Sequence, residues 1–178
     1  LETQPAIEQL VATCPGLEGV VPRGAPLPPH DFETPIASVP LRLGLTTASI
    51  PADVPYLAAD PALAAAARAR IRRDGAFKVG IGWQGNPAFP QDAHRSIPLA
   101  AFAPLAAVPG VRLYSLQKGF GSEQLAAATF PVEDLGSALD PGGGAFTDSA
   151  AAIAALDLVI ASDSAIVHVA GALGRPVW

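Results

Sequence analysis

The chain has 178 residues, half of them hydrophobic and 15% charged, so it has material for a buried core and is not disordered. Its net charge is −5 and its eleven Lys and Arg form no long cluster, which argues against a nucleic-acid partner. The single cysteine, Cys14, excludes an internal disulfide and a Cys-based metal site, and fits a reducing, cytoplasmic compartment.

The first 60 residues hold ten of the nineteen prolines, with Pro22, Pro26, Pro28-Pro29, Pro35 and Pro40 interrupting short apolar runs. Proline is excluded from central strands and helix interiors, so residues 1–60 are expected to be mostly extended: a domain's tail and a linker. With no methionine at position 1 or elsewhere, and no charged segment leading into an apolar one, the sequence is expected to be a fragment without a signal peptide. Residues 61–178 are expected to form a second, truncated domain. It opens with a helix from Pro61 to Arg73, ended near Asp74-Gly75.

After Gly75, strands are predicted at Lys78–Trp83, Val111–Gln117, Val132–Leu135, Leu158–Ser162 and, incompletely, Pro176–Trp178. Helices are predicted at Leu99–Ala107, Ser122–Ala128, Asp148–Leu156 and Ser164–Leu173. This rhythm implies α/β architecture with a parallel, doubly wound, Rossmann-like sheet, whose ligands bind at the carboxyl ends of the strands. Gln84, Lys118 and Asp163 each follow a strand and so fall on one rim. Gly142-Gly143-Gly144 reads as a loop tip, too short for a phosphate loop. No apolar run reaches the length of a membrane span; residues 145–161 are broken by Asp148 and Asp157.

Asp163 and Ser164 stand where a strand exit meets a helix start. They cap the helix, or flank amides of residues 164–167 that hold a phosphate; the two roles are compatible. His168 lies one turn on, on the same side of the helix start as Ser164, and taken alone reads as a core residue with a satisfied hydrogen bond. Gly171 reads as a site of close helix packing and Gly174 as a left-handed C-terminal residue. In Trp83-Gln84-Gly85-Asn86-Pro87 the Gly and Asn-Pro are turn residues, Trp83 is a core residue, and Gln84 and Asn86 carry amides suited to a nucleobase or sugar. Arg95 and Lys118 are solvated surface charges or partners of a diphosphate. Glu133-Asp134 would point to opposite strand faces, and His30 and His94 lack ligand spacing, so no metal site is expected.

The segment Asp163-Ser164-x-x-x-His168-x-x-Gly171-Ala172-Leu173-Gly174-x-Pro176-Val177-Trp178 resembles the C-terminal half of heptosyltransferase-like (family 9) GT-B glycosyltransferases, especially those behind tetratricopeptide repeats. More distantly it is similar to the O-linked N-acetylglucosamine transferases. The resemblance extends through Lys78–Pro87, Arg95-Ser96-Ile97-Pro98 and Leu113–Gly119, covering roughly residues 15–178. It implies the donor-binding half of a hexosyl- or heptosyl-transferring enzyme, with residues 1–60 as the tail of its N-terminal, acceptor-side domain and a linker, preceded in the full-length protein by tetratricopeptide repeats. The nucleotide-activated sugar is its substrate, with no cofactor and no metal. It further implies that Gln84, Asn86, Arg95, Gln117, Lys118, Asp163, Ser164 and His168 bind the donor. The acceptor (protein, lipid or glycan) and the catalytic base are unassigned, and the truncated chain is expected to be inactive alone. The alternative is a non-catalytic module that binds a nucleotide or sugar phosphate. A Rossmann oxidoreductase ranks below both, because no Gly-x-Gly-x-x-Gly follows the Lys78–Gly82 strand.

Overall fold

The computed structural model describes residues 1–71, 74–141 and 146–178. The Gly142-Gly143-Gly144 tip and the end of the helix expected to reach Arg73 lie outside them.

Residues 1–60 hold more helical turns than expected. β1 (Glu2–Thr3) pairs in parallel with β2 (Val21–Pro22), while α1 (Glu8–Val11) and α2 (Val39–Arg42) each follow a 3-10 turn. The physical reason is where the prolines stand. Pro5 and Pro40 occupy the first positions of their turns, where a missing N–H costs nothing and φ is already helical. α3 (Pro61–Arg70) starts in the same way, and the Asp60 side chain caps it by accepting from the amides of Ala62 and Leu63, both at 2.9 Å.

β3 (Phe77–Gly82), β4 (Val111–Ser115), β5 (Glu133–Asp134) and β6 (Leu158–Ala161) form a parallel four-stranded sheet in the order β5-β4-β3-β6. Val177 bridges Val159 on the outer side of β6, consistent with the strand expected at Pro176–Trp178. The chain therefore steps outward from β3 through β4 to β5, then crosses back to β6 on the other side of β3. The strand order reverses between β3 and β6, which makes their carboxyl ends a topological switch point, the crevice where open α/β sheets bind ligands.

Between β3 and β4 the predicted Leu99–Ala107 helix is split. Pro104 can donate no amide and its ring would meet the Ala100 carbonyl, so a 3-10 turn at Leu99–Phe102 gives way to α5 (Ala103–Ala106), after the short α4 (Asp92–Arg95). Ser122–Ala127 is likewise 3-10 rather than α-helical. α6 (Thr147–Ile153) and α7 (Ala165–Ala172) complete the fold.

Period-2 alternation divides the core between the two sheet faces. Val79, Ile81, Trp83, Leu113 and Leu158 pack with Leu99 and Phe102 on one face. Tyr114, Leu116 and Val159 pack on the other with Ala150 and Ile153 of α6, Val169 and Ala170 of α7, and Leu10 of α1. Gly174 adopts the expected left-handed conformation, with φ at 68°. Gly171 does not have the close packing predicted for it, because a Cβ there would meet nothing within 4 Å.

Candidate functional site

The rim is built first by its backbone. Trp83 is fully buried, as expected of a core residue, and its indole N–H donates to the Gly121 carbonyl at 3.1 Å. Gln117 Oε1 accepts from the amides of Trp83 (2.9 Å) and Gln84 (3.1 Å), and its Nε2 donates to the carbonyls of Gln84 (2.8 Å) and Phe120 (2.6 Å). Both lone-pair positions and both N–H groups of this buried amide are thus used inside the protein. Gln117, expected to touch the donor, joins the β3 loop to the β4 loop. Gly136 seats the loop after β5 against it: a Cβ there would overlap the Gln117 carbonyl oxygen and lie 2.7 Å from its carbonyl carbon.

A second bridge crosses the switch point. Arg95, at the end of α4, donates from Nη1 to the Asp163 carbonyl (2.8 Å) and from Nε to Asp92 Oδ1 (3.0 Å), with its guanidinium 4.9 Å from the Phe89 ring centroid. The loop after β3 is therefore tied to the turn between β6 and α7, over 68 residues of sequence. Ser164 is the N-cap residue of α7 in extended conformation, yet its hydroxyl makes no capping bond. The cap expected of Ser164 is therefore not formed, although its extended backbone is the conformation a capping residue ordinarily adopts. Val167 N–H bonds the Ser164 carbonyl at 3.2 Å, while the amides of Ala165 and Ile166 are those a helix start leaves without intrahelical partners. His168 stands one turn in, 78% exposed, with Nε2 3.8 Å from Asp163 Oδ1. It faces solvent at the rim and is no core residue.

The remaining predicted residues are spread around this centre. Gln84 is half-buried and accepts from Gln124 Nε2 at 3.3 Å. Asn86 is exposed, its Oδ1 closing a turn with the Ala88 amide at 2.9 Å. Lys118 Nζ donates to the Asp140 carbonyl, fixing the segment ahead of α6. Asp140 itself is buried and accepts from Asp148 N–H (2.9 Å) and Ser149 Oγ (2.6 Å). A cleft of about 450 Å³ opens at the ends of β4 and β5, lined by Gln117, Lys118, Asp134, Gly136 and Ser137 among others. A smaller, apolar recess between α3 and α6 involves none of the rim residues.

Sequence reasoning missed Asp92, Ser96 and Ser162. Asp92 stands three residues before Arg95, a spacing at which opposite charges pair on a helix, so a signal was present. Ser162 carries a buried hydroxyl with no partner among the described residues, and nothing in the sequence pointed to it. Also among the described residues, no group of three or more His, Cys, Asp or Glu side chains could hold a metal ion, and no helix is long and apolar enough to cross a membrane.

No protein-family model matches this sequence. The chain is 31% identical over 186 residues to Protein FlbA of Caulobacter vibrioides, a match covering 99% of this chain and 31% of that protein. Among solved structures it is similar to the E. coli ADP-heptose lps heptosyltransferase II, with a TM-score of 0.50 and 21% identity over 74% of this chain and 41% of that one. The chain thus spans under a third of the relative and under half of the enzyme structure. What this likeness establishes is the fold, an α/β unit with a parallel, Rossmann-like sheet consistent with the architecture of that enzyme.

Proposed function

We propose that the chain carries the donor-binding side of a glycosyltransferase, which transfers a sugar from a nucleotide-activated donor to an acceptor hydroxyl without a divalent metal. The observation that carries this reading is the Arg95–Asp163 bridge: one guanidinium, one helix N-terminus and one imidazole meet at the switch point of the sheet. A diphosphate against the first turn of α7 would receive the Ala165 and Ile166 amides, the positive end of the helix dipole and the His168 imidazole. Arg95 has five N–H groups and commits two of them within the protein, so the others are available to a phosphate. As the sugar C–O bond breaks, negative charge grows on the departing nucleoside diphosphate. Fixed donors aimed there stabilise it by roughly 2–4 kcal/mol each.

In this reading the Asn86 and Gln84 amides face the rest of the donor, and Lys118 contributes charge beside the cleft. Gln117 is scaffold. Residues 1–60 belong to the acceptor side, and the acceptor, the catalytic base, neighbouring tetratricopeptide repeats and a cytoplasmic location are parts of the proposal that lie outside this rim.

A thermal-shift screen of nucleoside diphosphates and nucleotide sugars, run in EDTA, tests it. A ligand at 100 times its Kd stabilises by about 2.7 kcal/mol. Stabilisation by none of them overturns the reading. Stabilisation without sugar transfer by the full-length protein would favour a binding module, and transfer that requires added manganese or magnesium would overturn metal independence.

A further inference from the structure

Arg95 is held by more than its own two bonds. Asp92 is 5% exposed, and both its carboxylate oxygens are engaged: Oδ1 accepts from Arg95 Nε at 3.0 Å and Oδ2 from Ser96 Oγ at 3.0 Å. Ser96 Oγ accepts in turn from the Gly85 amide at 3.2 Å, so the carboxylate also reaches the first turn of the β3 loop. The recess is tight. A Cβ at Gly85 would overlap Asp92 Oδ1 and Arg95 Nη2 and lie 2.9 Å from Arg95 Cζ. A buried carboxylate is costly unless paired and hydrogen-bonded, and here both conditions are met by groups that also shape the rim.

We propose that Asp92 is a positioning residue for the donor site: seated in a recess that only glycine at position 85 leaves open, it locks the Arg95 guanidinium across the switch point in the orientation that receives the donor diphosphate. This rests on the proposed function. An arginine side chain free to rotate would lose much of its rotamer entropy on meeting a phosphate, whereas one held at Nε by Asp92 and from below by Phe89 has already lost it. Asp92 never touches the ligand. It sets where the free N–H groups of Arg95 point.

The test is a double-mutant cycle read by titration calorimetry, with ADP and inorganic pyrophosphate as probes. Asp92→Asn keeps the shape but leaves Oδ1 as a weak acceptor or a donor facing Arg95. It should weaken binding about tenfold in the wild-type background and leave binding unchanged in Arg95→Ala. The Arg95 Nε–H resonance, sharp and slow to exchange in the wild type, should broaden in Asp92→Asn. Gly85→Ala, which crowds the same pair from the loop side, should reproduce the loss and serves if Asp92→Asn fails to fold. Equal weakening with and without Arg95, or no weakening despite a tightly binding wild type, overturns the positioning role and leaves the donor site standing. A wild type that binds neither probe overturns the donor site itself, and this role with it.

Discussion

Gly136 is the most demanding position on the rim, and its replacement by alanine gives a measurable consequence. The added methyl would lie 2.7 Å from the carbonyl carbon and 3.2 Å from the amide nitrogen of Gln117, where ordinary contacts begin at 3.4 Å. Neither is the end of a flexible side chain, and the Gln117 carbonyl oxygen is overlapped outright, so one backbone segment must move by well over the roughly 0.7 Å that the carbonyl carbon alone requires. Overpacking of this kind costs roughly 1–3 kcal/mol. Displacing Gln117 also weakens its 2.9 and 3.1 Å bonds from the Trp83 and Gln84 amides, at about 0.5–1.5 kcal/mol each. Gly136→Ala should therefore destabilise by about 3 kcal/mol, lowering Tm by roughly 6–12 °C for a domain of this size. Gly171→Ala is the control. Its Cβ would enter open space on a helix, so it should stabilise by about 0.5 kcal/mol through helix propensity. Urea denaturation followed by circular dichroism reads both. A Gly136→Ala protein as stable as the wild type would show that the β5 loop does not rest on Gln117.

Other consequences follow from the same contacts. Gln117→Ala leaves the buried Trp83 amide and the half-buried Gln84 amide without acceptors and should cost about 2–4 kcal/mol in urea denaturation. Arg95→Ala should reduce nucleoside diphosphate affinity roughly 10- to 100-fold by calorimetry, from the range for hydrogen bonds to charged groups, and Lys118→Ala by less because its ammonium is engaged with Asp140. Far from the rim, the Asp74 carboxyl is held below its usual 3.8, first by the Ala76 amide and then by the Arg112 guanidinium. A depressed folded-state pKa contributes stability above the unfolded value that is lost as pH falls through the folded one. Acid denaturation should therefore show an Asp74 contribution disappearing below about pH 4, and Asp74→Asn should flatten that limb.

The strands were legible because Val79, Ile81 and Trp83 alternate with Gly80 and Gly82, and because β6 is a short apolar run bounded by charge. The helices were less so, and prolines account for most of the difference. Read as breakers, Pro5 and Pro40 suggested extended chain, yet Pro5 is the first and Pro40 the second residue of a helical turn; Pro104, inside a run that looks helical, divides it. Even Leu10, from the stretch expected to be tail and linker, enters the same cluster as Tyr114 and Val159. At the rim, the strand-exit logic reached Gln84, Lys118 and Asp163, whereas Arg95 was marked by the family resemblance and His168 by its place one turn into α7. It could not reach the partners of Gln117 and Lys118, because side-chain bonds to backbone 33 and 22 residues away leave no local pattern.

The final expectation concerns His168, and it separates recognition from folding more cleanly than any other rim residue. Arg95 and Gln117 both hold loops in place, so their loss mixes binding with stability. His168 makes one exposed contact, 3.8 Å from Asp163, with both side chains more than three-quarters exposed. A contact so solvated contributes little to stability whatever the charge on the imidazole. His168→Ala should leave Tm within about 2 °C of the wild type, since exposed substitutions usually stay within about 0.5 kcal/mol. Nucleoside diphosphate affinity should nevertheless fall by about 1–3 kcal/mol, the range for losing a hydrogen bond to a charged group. Calorimetry alongside thermal denaturation gives both quantities from one preparation. Unchanged affinity would remove the imidazole from the donor site and leave Arg95 and the α7 amides to hold the diphosphate alone. A large fall in Tm would mean that His168 supports the β6–α7 turn in a way its exposure does not account for.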